Sequence, residues 1–246
     1  MEPSRSQRRN KPSSHDRSFL SLAAHELRTP LHSANGFLEM VLDGLAGPLN
    51  ERQQEMLGYT HTAIGQLALL LEDVLFMARA DRGELALRLT KVDPAAVFAR
   101  ALESIRDQLR ANNITVIRTD EPLPSTLKAD GERLCEGLGG LLRGAVAMMP
   151  VGGALEIQAT ARDGSFRVMV RLHGVRLNAT DLETLFGRFS QPQPVGADRP
   201  VHLGLELSIA QITAVWHHGA CYTDSSAEDG SLILCYEVPI NPPGQP

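Results

Sequence analysis

The sequence predicts a long antiparallel helical hairpin followed by an α/β sandwich, and three observations support this assignment. Apolar residues recur at steps of three and four over residues 19–45, the spacing of a helix with one buried stripe. A second helical pattern follows over residues 51–80, after a loop rich in glycine and proline. From residue 94 onward, helical patterns alternate with period-two segments typical of strands, which predicts helices packed on one face of a sheet.

The composition is that of a globular protein. The 246 residues suffice for two modest domains, and 43% of them are hydrophobic. No apolar run approaches the roughly 20 residues that cross a bilayer, and no signal peptide is evident, so we expect a cytoplasmic location without membrane contact. The net charge of −5 is too small to indicate a nucleic-acid partner. The three cysteines, Cys135, Cys221 and Cys235, lack zinc-site spacing and are predicted to be buried thiols, so no metal site is expected.

The pattern divides the chain into five segments. Residues 1–16 are polar and locally basic, which predicts a disordered tail. Residues 17–80 carry both long helical patterns, and residues 81–93 are predicted to be a polar linker with a short alternating segment. Residues 94–240 are predicted to be the α/β domain, and the proline-rich residues 241–246 a loose tail.

The first helix of the hairpin is expected to end near Gly44, because two glycines and a proline lie within residues 44–48. Asn50 is a suitable N-cap for the second helix, and Gln53 stands where it completes a capping box. The apolar stripe assigned to the first helix comprises Leu20, Ala23, Leu27, Leu31, Ala34, Leu38, Val41 and Leu45.

The second helix carries two stripes at heptad spacing. One comprises Leu57, Ile64, Leu71 and Ala78, and the other comprises Thr60, Leu67 and Val74. One hairpin cannot bury all of these stripes, so we expect two copies to form a four-helix bundle as a homodimer. The alternative is a hairpin that packs only against its own C-terminal domain.

A histidine, His25, lies off the apolar stripe of the first helix. Thr29, His32 and Gly36 follow it at helical steps and share its outward face, near the kink that Pro30 would impose. From spacing alone, a surface histidine on an amphipathic helix indicates no chemical role. A more specific signal is needed before any chemistry is assigned to this face.

That signal is the string His-Glu-Leu-Arg-Thr-Pro-Leu at residues 25–31, which resembles the phospho-accepting motif of the two-component sensor histidine kinases. The resemblance implies that the His25 imidazole attacks a phosphoryl group, that Glu26 is its acid/base partner, and that Thr29 helps to orient water for dephosphorylation. The residue chemistry agrees, because neutral imidazole is a nucleophile near pH 7 and an adjacent carboxylate can accept its proton.

The second domain is predicted to contain helices over residues 94–111 and 130–148, and a third within 201–216. Strands are predicted over residues 114–118, 154–161, 166–172 and 232–238. Apolar residues alternate from Phe166 to Leu172, which places Leu172 on the apolar face of its strand. His217 and His218 are predicted to form a surface turn rather than a metal site.

Four landmarks of this domain resemble the ATP-binding domain of the same kinases, which has the Bergerat fold shared with gyrase and Hsp90-type ATPases. They are Asp-Gly-Glu-Arg-Leu at 130–134, Pro150 with Gly152 and Gly153, Leu-Phe-Gly-Arg-Phe at 185–189, and Leu-Gly-Leu at 203–205. The resemblance covers nearly the whole chain after the tail. Since it leaves no room for an input domain ahead of the first helix, we expect the signal to come from a separate sensor protein or through the C-terminal domain.

The residues that handle nucleotide in that family are mostly replaced. Gly140 and Gly144 stand where the family has two asparagines that bind magnesium and phosphates, and Leu172 stands where an aspartate accepts a hydrogen bond from adenine. The other replaced positions are Ala147, Arg176, His202 and Glu206. Only Gly174 and Gly204 remain as candidate nucleotide-binding residues.

These replacements predict impaired ATP binding. Magnesium needs oxygen ligands, which Gly140 and Gly144 lack. An adenine amine buried against Leu172 would go unpaired, at a cost of about 1 to 3 kcal/mol, and Glu206 would repel a triphosphate. A glycine inside a helix also costs roughly 1 kcal/mol relative to alanine, so we expect another element to pack closely on the Gly140 and Gly144 face. In a second interpretation, Arg176 supplies a new phosphate contact.

Three functions follow from these patterns. The leading one is a two-component phosphotransferase or phosphatase, in which His25 exchanges a phosphoryl group with an aspartate of a response-regulator receiver domain that brings the magnesium. The second is an ATP-dependent kinase that phosphorylates its own His25, with ATP and magnesium as cofactors. The third is a non-catalytic regulator that docks on a kinase or response regulator. In each case the bundle could form with a second copy or with a complete kinase.

Overall fold

The computed structural model describes residues 14–81, 86–192, 204–224 and 230–242, with the backbone alone at residues 14–25, 66 and 81. The chain divides into two compact units between Leu85 and Ala86. The first unit is helical, and the second combines helices with a five-stranded sheet. The predicted fold class, a helical hairpin followed by an α/β domain, is confirmed.

Two long helices form the first unit. α1 spans Ser14–Leu42 and α2 spans Glu51–Asp81. α1 begins within the segment that we predicted to be a tail, and it ends two residues before Gly44, whose φ is +80°. Pro30 lies inside α1, and the helix continues beyond it.

The predicted capping box at the start of α2 is confirmed. The Gln53 backbone N–H donates to Asn50 Oδ1 at 2.8 Å, and the Asn50 backbone N–H donates to Gln53 Oε1 at 3.0 Å. Each side chain thereby satisfies a backbone donor at the helix end that has no carbonyl partner within the helix. The start of α2 is therefore encoded locally.

The hairpin buries only part of its predicted stripes. Leu38 of α1 is buried, and so is the α2 segment from Leu75 to Ala78. Leu27 and Leu45 of the predicted α1 stripe are 57% and 76% exposed in the single chain. On α2, the second stripe faces outward at Leu67, which is 55% exposed. A two-helix hairpin has one interior, so the remaining apolar side chains lie on its surface.

The elements of the second unit follow in mixed order. They are β1 (Thr90–Val92), α3 (Pro94–Glu103), α4 (Arg106–Ala111), β2 (Thr115–Arg118), β3 (Leu127–Ala129), α5 (Gly131–Met148), β4 (Ala154–Arg162), β5 (Ser165–Leu172), α6 (Ala179–Thr184), α7 (Glu206–Trp216), β6 (Ala220–Asp224) and β7 (Leu232–Pro239).

The main sheet of the second unit has the strand order β2-β4-β5-β7-β6. β2 runs parallel to β4, and the other neighbouring pairs are antiparallel. β1 and β3 form a separate two-stranded antiparallel ladder. α3, α5 and α7 contribute apolar side chains to one core with the inward face of the sheet.

Two predicted boundaries in this unit are wrong. The predicted helix over residues 94–111 breaks between α3 and α4, where Ile105 leaves helical geometry at φ −107° and ψ 0°. Ile105 is fully buried, and the Ser104 hydroxyl donates to the Ala101 carbonyl oxygen at 2.7 Å, so core packing and a local side-chain bond favour the break. Thr90–Val92, predicted as linker, forms β1 because it pairs with β3.

Three short elements were not predicted at all, namely β3, α6 and β6. Each has six residues or fewer, which is too short for a periodic signal in sequence. Among the helices in the described ranges, none has the length and hydropathy that a bilayer span requires.

Candidate functional site

The predicted phospho-acceptor residues lie on α1. The backbone of His25 is helical, and the side chains of Glu26 and Thr29 are exposed. Thr29 follows His25 by about one helical turn, which places the two residues on neighbouring positions of the helix surface. The His25 side chain lies outside the described part of the structure. The Ser33 hydroxyl donates to the Thr29 carbonyl oxygen at 3.0 Å, a contact that does not use the Thr29 hydroxyl.

An ion pair crosses the hairpin beside these residues. Arg28 Nε donates to Glu72 Oε1 at 2.7 Å, and Arg28 Nη2 contacts the same carboxylate oxygen. Further along α1, Glu39 lies 3.5 Å from His61 of α2, so the two contacts fix an antiparallel register. Our sequence reasoning missed Glu72, because no spacing signal connects positions on two helices 44 residues apart.

In the second unit, α5 and α7 approach closely where the family's magnesium-binding asparagines are replaced. A Cβ atom added at Gly140 would lie 2.5 Å from the Glu206 carbonyl oxygen. One added at Gly144 would lie 2.7 Å from Cγ and Cδ2 of Leu207. A side chain at Gly140 would therefore displace the α7 backbone, and one at Gly144 would displace the Leu207 side chain. The prediction that another element packs closely on this face is confirmed.

The same glycine face continues one turn earlier at Gly137. A Cβ atom there would overlap the Thr213 hydroxyl of α7 and would lie 2.8 Å from the Tyr236 hydroxyl of β7. These two hydroxyls are buried and hydrogen-bonded to each other at 3.3 Å. Burial raises the pKa of Tyr236, so this hydroxyl stays protonated and acts as a donor. The α5–α7 interface is thus a packed part of the core.

Little space remains beside the start of α7. The described residues around it, Gly144, Met148, Leu185, Ser190, Pro192, Gly204, Glu206 and Leu207, line a cavity of about 10 Å³. A cavity of that size holds about one water molecule. Among the described residues, Gly140 and Gly144 thus lie against α7, and neither glycine has a side-chain oxygen that could bind a cation.

Leu172 lies where adenine recognition is expected in the family. It is fully buried at the end of β5, between Leu155 of β4 and Leu232 of β7 in the sheet register. The prediction that Leu172 continues the apolar strand face is therefore confirmed. Its side chain offers no hydrogen-bond acceptor to a ligand.

The two candidate nucleotide-binding glycines both have positive φ angles, +75° at Gly174 and +67° at Gly204. Gly174 lies in the turn that follows β5. A Cβ atom at Gly204 would overlap the Ser190 carbonyl oxygen. The positive φ favours glycine at both positions, and the close Ser190 carbonyl also leaves no room for a side chain at Gly204. Of the two, only Gly204 lines the small cavity with Gly144. His202 lies outside the described residues.

The prediction of a surface turn is wrong for His217, which is buried at the end of α7, whereas His218 is exposed. His217 Nδ1 lies 2.8 Å from the Thr213 carbonyl oxygen, and the Asp130 backbone N–H donates to His217 Nε2 at 3.2 Å. Nδ1 therefore carries the proton. Burial lowers the pKa of His217, while the Asp130 carboxylate partly opposes that shift.

The opposite side of α5 borders an open groove of about 860 Å³, between α5 and the β1–α3 segment. Cys135 lies on the floor of this groove and is half-buried, so it is more accessible than the buried thiol that we predicted. Burial raises the pKa of the Cys135 thiol, which keeps it protonated and unreactive near neutral pH. A salt bridge between Arg100 and Glu132 borders the groove. Across the described residues, no group of three His, Cys, Asp or Glu side chains could hold a metal ion.

Comparison with known proteins identifies the first unit. Residues 16–83 match the family model of the His Kinase A (phospho-acceptor) domain. The whole chain is similar to two proteins of Caulobacter vibrioides, the histidine protein kinase DivJ (28% identity, 87% of this chain, 36% of DivJ) and the sensor protein DivL (28% identity, 93% of this chain, 29% of DivL). The chain thus spans about a third of the length of these relatives.

Solved structures match both units of the chain. Full-length ShkA in complex with AMPPNP has a TM-score of 0.67 and 24% identity, over 93% of this chain and 47% of ShkA. The histidine kinase ThkA in complex with the response regulator protein TrrA has a TM-score of 0.56 and 16% identity, over 93% of this chain and 65% of that chain. Residues 16–83 thus belong to the His Kinase A family, and the two units of the chain each have the fold of the corresponding part of a two-component histidine kinase transmitter.

Proposed function

We propose that this chain is a phosphotransfer protein and that its second unit acts without binding ATP. The observation that carries this proposal is the contact of α7 with Gly140 and Gly144, where a Cβ atom would lie 2.5 Å and 2.7 Å from atoms of Glu206 and Leu207. This contact supports a second unit in which core packing replaces the magnesium-nucleotide site. No step of the proposed reaction is therefore assigned to ATP, and no cofactor is assigned to the chain.

In the proposed reaction, His25 exchanges a phosphoryl group with an aspartate of a receiver domain. One imidazole nitrogen of His25 forms a bond to phosphorus as the phosphorus–oxygen bond of the aspartyl phosphate breaks. The aspartate leaves as a carboxylate, and the exposed Glu26 carboxylate accepts the imidazole proton. The reverse step returns the proton as the group passes to a second receiver. The receiver domain supplies the magnesium that neutralises charge on the phosphoryl group.

The exposed Thr29 hydroxyl would support dephosphorylation on the same face. A neutral hydroxyl can hold a water molecule in line with an aspartyl phosphate without repelling the phosphoryl oxygens. Thr29 lies about one turn beyond His25, so a receiver docked at His25 also reaches it. The direction in which the phosphoryl group is transferred would then depend on which receiver domain is phosphorylated.

Two partners are proposed. A response regulator is supported by the similarity to ThkA, which was solved in complex with TrrA. A second copy of the chain is supported by the exposed apolar side chains of the hairpin, among them Leu27, Leu67 and Leu45. Pairing two such hairpins into a four-helix bundle would cover these stripes.

The first test of this function is phosphotransfer from a chemically phosphorylated receiver to the purified chain. We expect the wild-type chain to take up the phosphoryl group, His25→Gln to take up none, and His32→Gln to match the wild type. His32 is a suitable control because it is an exposed histidine on the same helix. Equal uptake by His25→Gln would overturn the proposal, and uptake by no variant would favour a non-catalytic docking protein.

The second test is calorimetric titration with a non-hydrolysable ATP analogue and magnesium up to millimolar concentrations. We expect no binding tighter than about 0.1 mM, which corresponds to roughly 5 kcal/mol. Leu207→Ala enlarges the cavity beside Gly144 and is the variant in which weak binding should first appear. Tight binding by the wild type would instead support the ATP-dependent kinase.

A further inference from the structure

The ion pair between Arg28 and Glu72 places a strong anion-binding group next to the phospho-acceptor face. Arg28 is three residues after His25 on α1, so the two positions are neighbours on the helix surface. The guanidinium is nevertheless directed across the hairpin, where Nε and Nη2 both bind Glu72 Oε1. The Arg28 side chain is 28% exposed, whereas Glu72 is 51% exposed, so the guanidinium lies against α2.

We propose that Glu72 is a positioning residue of the phosphotransfer site, because it holds the Arg28 guanidinium on α2 and away from a phosphoryl group on His25. This role rests on the proposed phosphotransfer at His25. It adds to that site a residue from the second helix, which the motif at residues 25–31 does not contain.

The physical reason is competition between two anions for one guanidinium. Arginine binds phosphoryl oxygens through charge-assisted, often two-pronged hydrogen bonds. A guanidinium released from Glu72 could reach back one turn along α1 and bind the phosphoryl group of phosphorylated His25. That contact would stabilise the phosphohistidine and slow both its hydrolysis and its transfer. When the Glu72 carboxylate is present, the Arg28 guanidinium must break this ion pair before it can bind the phosphoryl group. The phosphoryl group on His25 therefore lacks the arginine contact and stays labile.

A purely structural role predicts a different pattern. Solvent-exposed ion pairs contribute little to stability, so the loss of Glu72 should hardly change the melting temperature of the hairpin. The lifetime of the phosphohistidine, in contrast, depends on where the guanidinium goes after its release. The two roles are therefore separated by measuring lifetime and stability on the same variants.

The experiment uses the full chain phosphorylated with phosphoramidate, which needs neither ATP nor a receiver. A ring nitrogen of His25 forms the bond to phosphorus, the phosphorus–nitrogen bond of phosphoramidate breaks, ammonia leaves, and the imidazole proton passes to water. The amount of phosphohistidine at position 25 is followed over time by mass spectrometry of the peptide, with His25→Gln as the blank. Transfer to a receiver is then measured separately.

We expect Glu72→Gln to lengthen the half-life of phosphorylated His25 about tenfold and to slow transfer similarly, because one charge-assisted hydrogen bond is gained. The double variant Arg28→Gln with Glu72→Gln should return the half-life to within about twofold of the wild type. Glu39→Gln is the matched control, because Glu39 also pairs across the hairpin, with His61. It should leave the half-life unchanged.

The proposal is overturned if Glu72→Gln has the wild-type half-life, or if the double variant keeps the longer one. It is also overturned if Glu72→Gln and Glu39→Gln lengthen the half-life equally, since any loosening of the hairpin would then suffice. If the half-lives follow the expected pattern but no receiver exchanges phosphate with His25, the proposed function fails while the effect of Glu72 on the phosphohistidine stands.

Discussion

The two units of the molecule use their apolar and small residues in opposite ways. The hairpin leaves Leu27, Leu45 and Leu67 more than half exposed, although they lie at positions of its apolar stripes. The second unit packs Gly140 and Gly144 of α5 so tightly against α7 that the cavity there is about 10 Å³. A single copy of the hairpin therefore leaves apolar side chains exposed, whereas the described part of the α5–α7 interface is closely packed.

This difference indicates where interactions with other molecules are expected. An exposed apolar stripe on a soluble helix is stabilised when a second apolar surface covers it. A glycine face already filled by a neighbouring helix gains nothing from a ligand that must first displace that helix. This difference agrees with the proposed protein partners of the hairpin and the proposed structural role of the α5–α7 interface. Four variants test it, from the largest expected effect to the smallest.

Gly140→Ala should break the closed packing of the second unit. The added methyl group would lie 2.5 Å from the Glu206 carbonyl oxygen, so we expect a loss of about 1 to 3 kcal/mol in the free energy of unfolding. Gly139→Ala is the matched control on the same helix, because its methyl group would meet only flexible side-chain ends of Arg143 and Ser104. That variant should gain up to about 1 kcal/mol from helix propensity.

The measurement is urea unfolding followed by the fluorescence of Trp216, which ends α7 and is the one tryptophan of the chain. Equal stability of the two alanine variants would show that α7 moves away at no cost. The second unit would then be open to nucleotide, and the ATP-dependent kinase would be favoured.

Leu67→Glu tests whether the exposed apolar stripe of the hairpin pairs with a second copy, as proposed. A carboxylate buried between two hairpins loses its hydration, so we expect the dissociation constant of the dimer to rise about 10- to 100-fold, as measured by analytical ultracentrifugation. Ile117→Glu places the same charge at an exposed apolar residue of the second unit. A dimer equally weakened by Ile117→Glu, or unaffected by Leu67→Glu, would contradict pairing through this stripe.

The buried His217 should make the stability of the second unit depend on pH. Burial lowers its pKa in the folded chain, so as the pH falls the unfolded chain binds the proton first. The stabilising contribution is fully present above the unfolded pKa of about 6.5 and is lost as the pH falls toward the lower folded value. Two charged neighbours act on this group, the Asp130 carboxylate and His218.

The measurement is the free energy of unfolding between pH 8 and pH 5 for two asparagine variants. His217→Asn should be less stable at pH 8 by about 1 to 2 kcal/mol, because its hydrogen bonds are lost, and should show a flatter pH dependence. His218→Asn should keep the wild-type slope, because His218 is exposed and asparagine tolerates its positive φ of 60°. Parallel slopes in both variants would contradict a neutral, buried His217.

Asn50→Ala gives the smallest expected effect. It removes the side-chain oxygen that accepts the Gln53 N–H at the start of α2, and the loss of an N-cap costs typically about 1 kcal/mol. The hairpin should melt a few degrees earlier by circular dichroism, while the Trp216 signal stays unchanged. Asn50→Asp keeps a capping oxygen and should retain most of the stability. An effect on the Trp216 signal would show that the two units unfold together.

The sequence predictions succeeded for features set by residues close together in the chain and failed for features set by distant contacts. The capping box of Asn50 and the alternating strand that ends at Leu172 were predicted, because their signals lie within a few residues. The break at Ile105 was missed, because burial against the sheet overrides a continuous helical pattern there. β1 was predicted to be linker, because its strand character depends on pairing with β3, in which Val92 lies opposite Leu127, 35 residues further along the chain.

By itself, the sequence determined the two long helices, the longer helices and strands that follow them, and the phospho-accepting motif that contains His25. It also showed that Gly140 and Gly144 carry no ligand atoms. Only the tertiary structure decided that α7 fills the space beside those glycines, that His217 is buried, and that Arg28 is held by Glu72. The physical reason is that helices and caps are stabilised by neighbours in sequence, whereas each of these three features depends on atoms more than 40 residues apart.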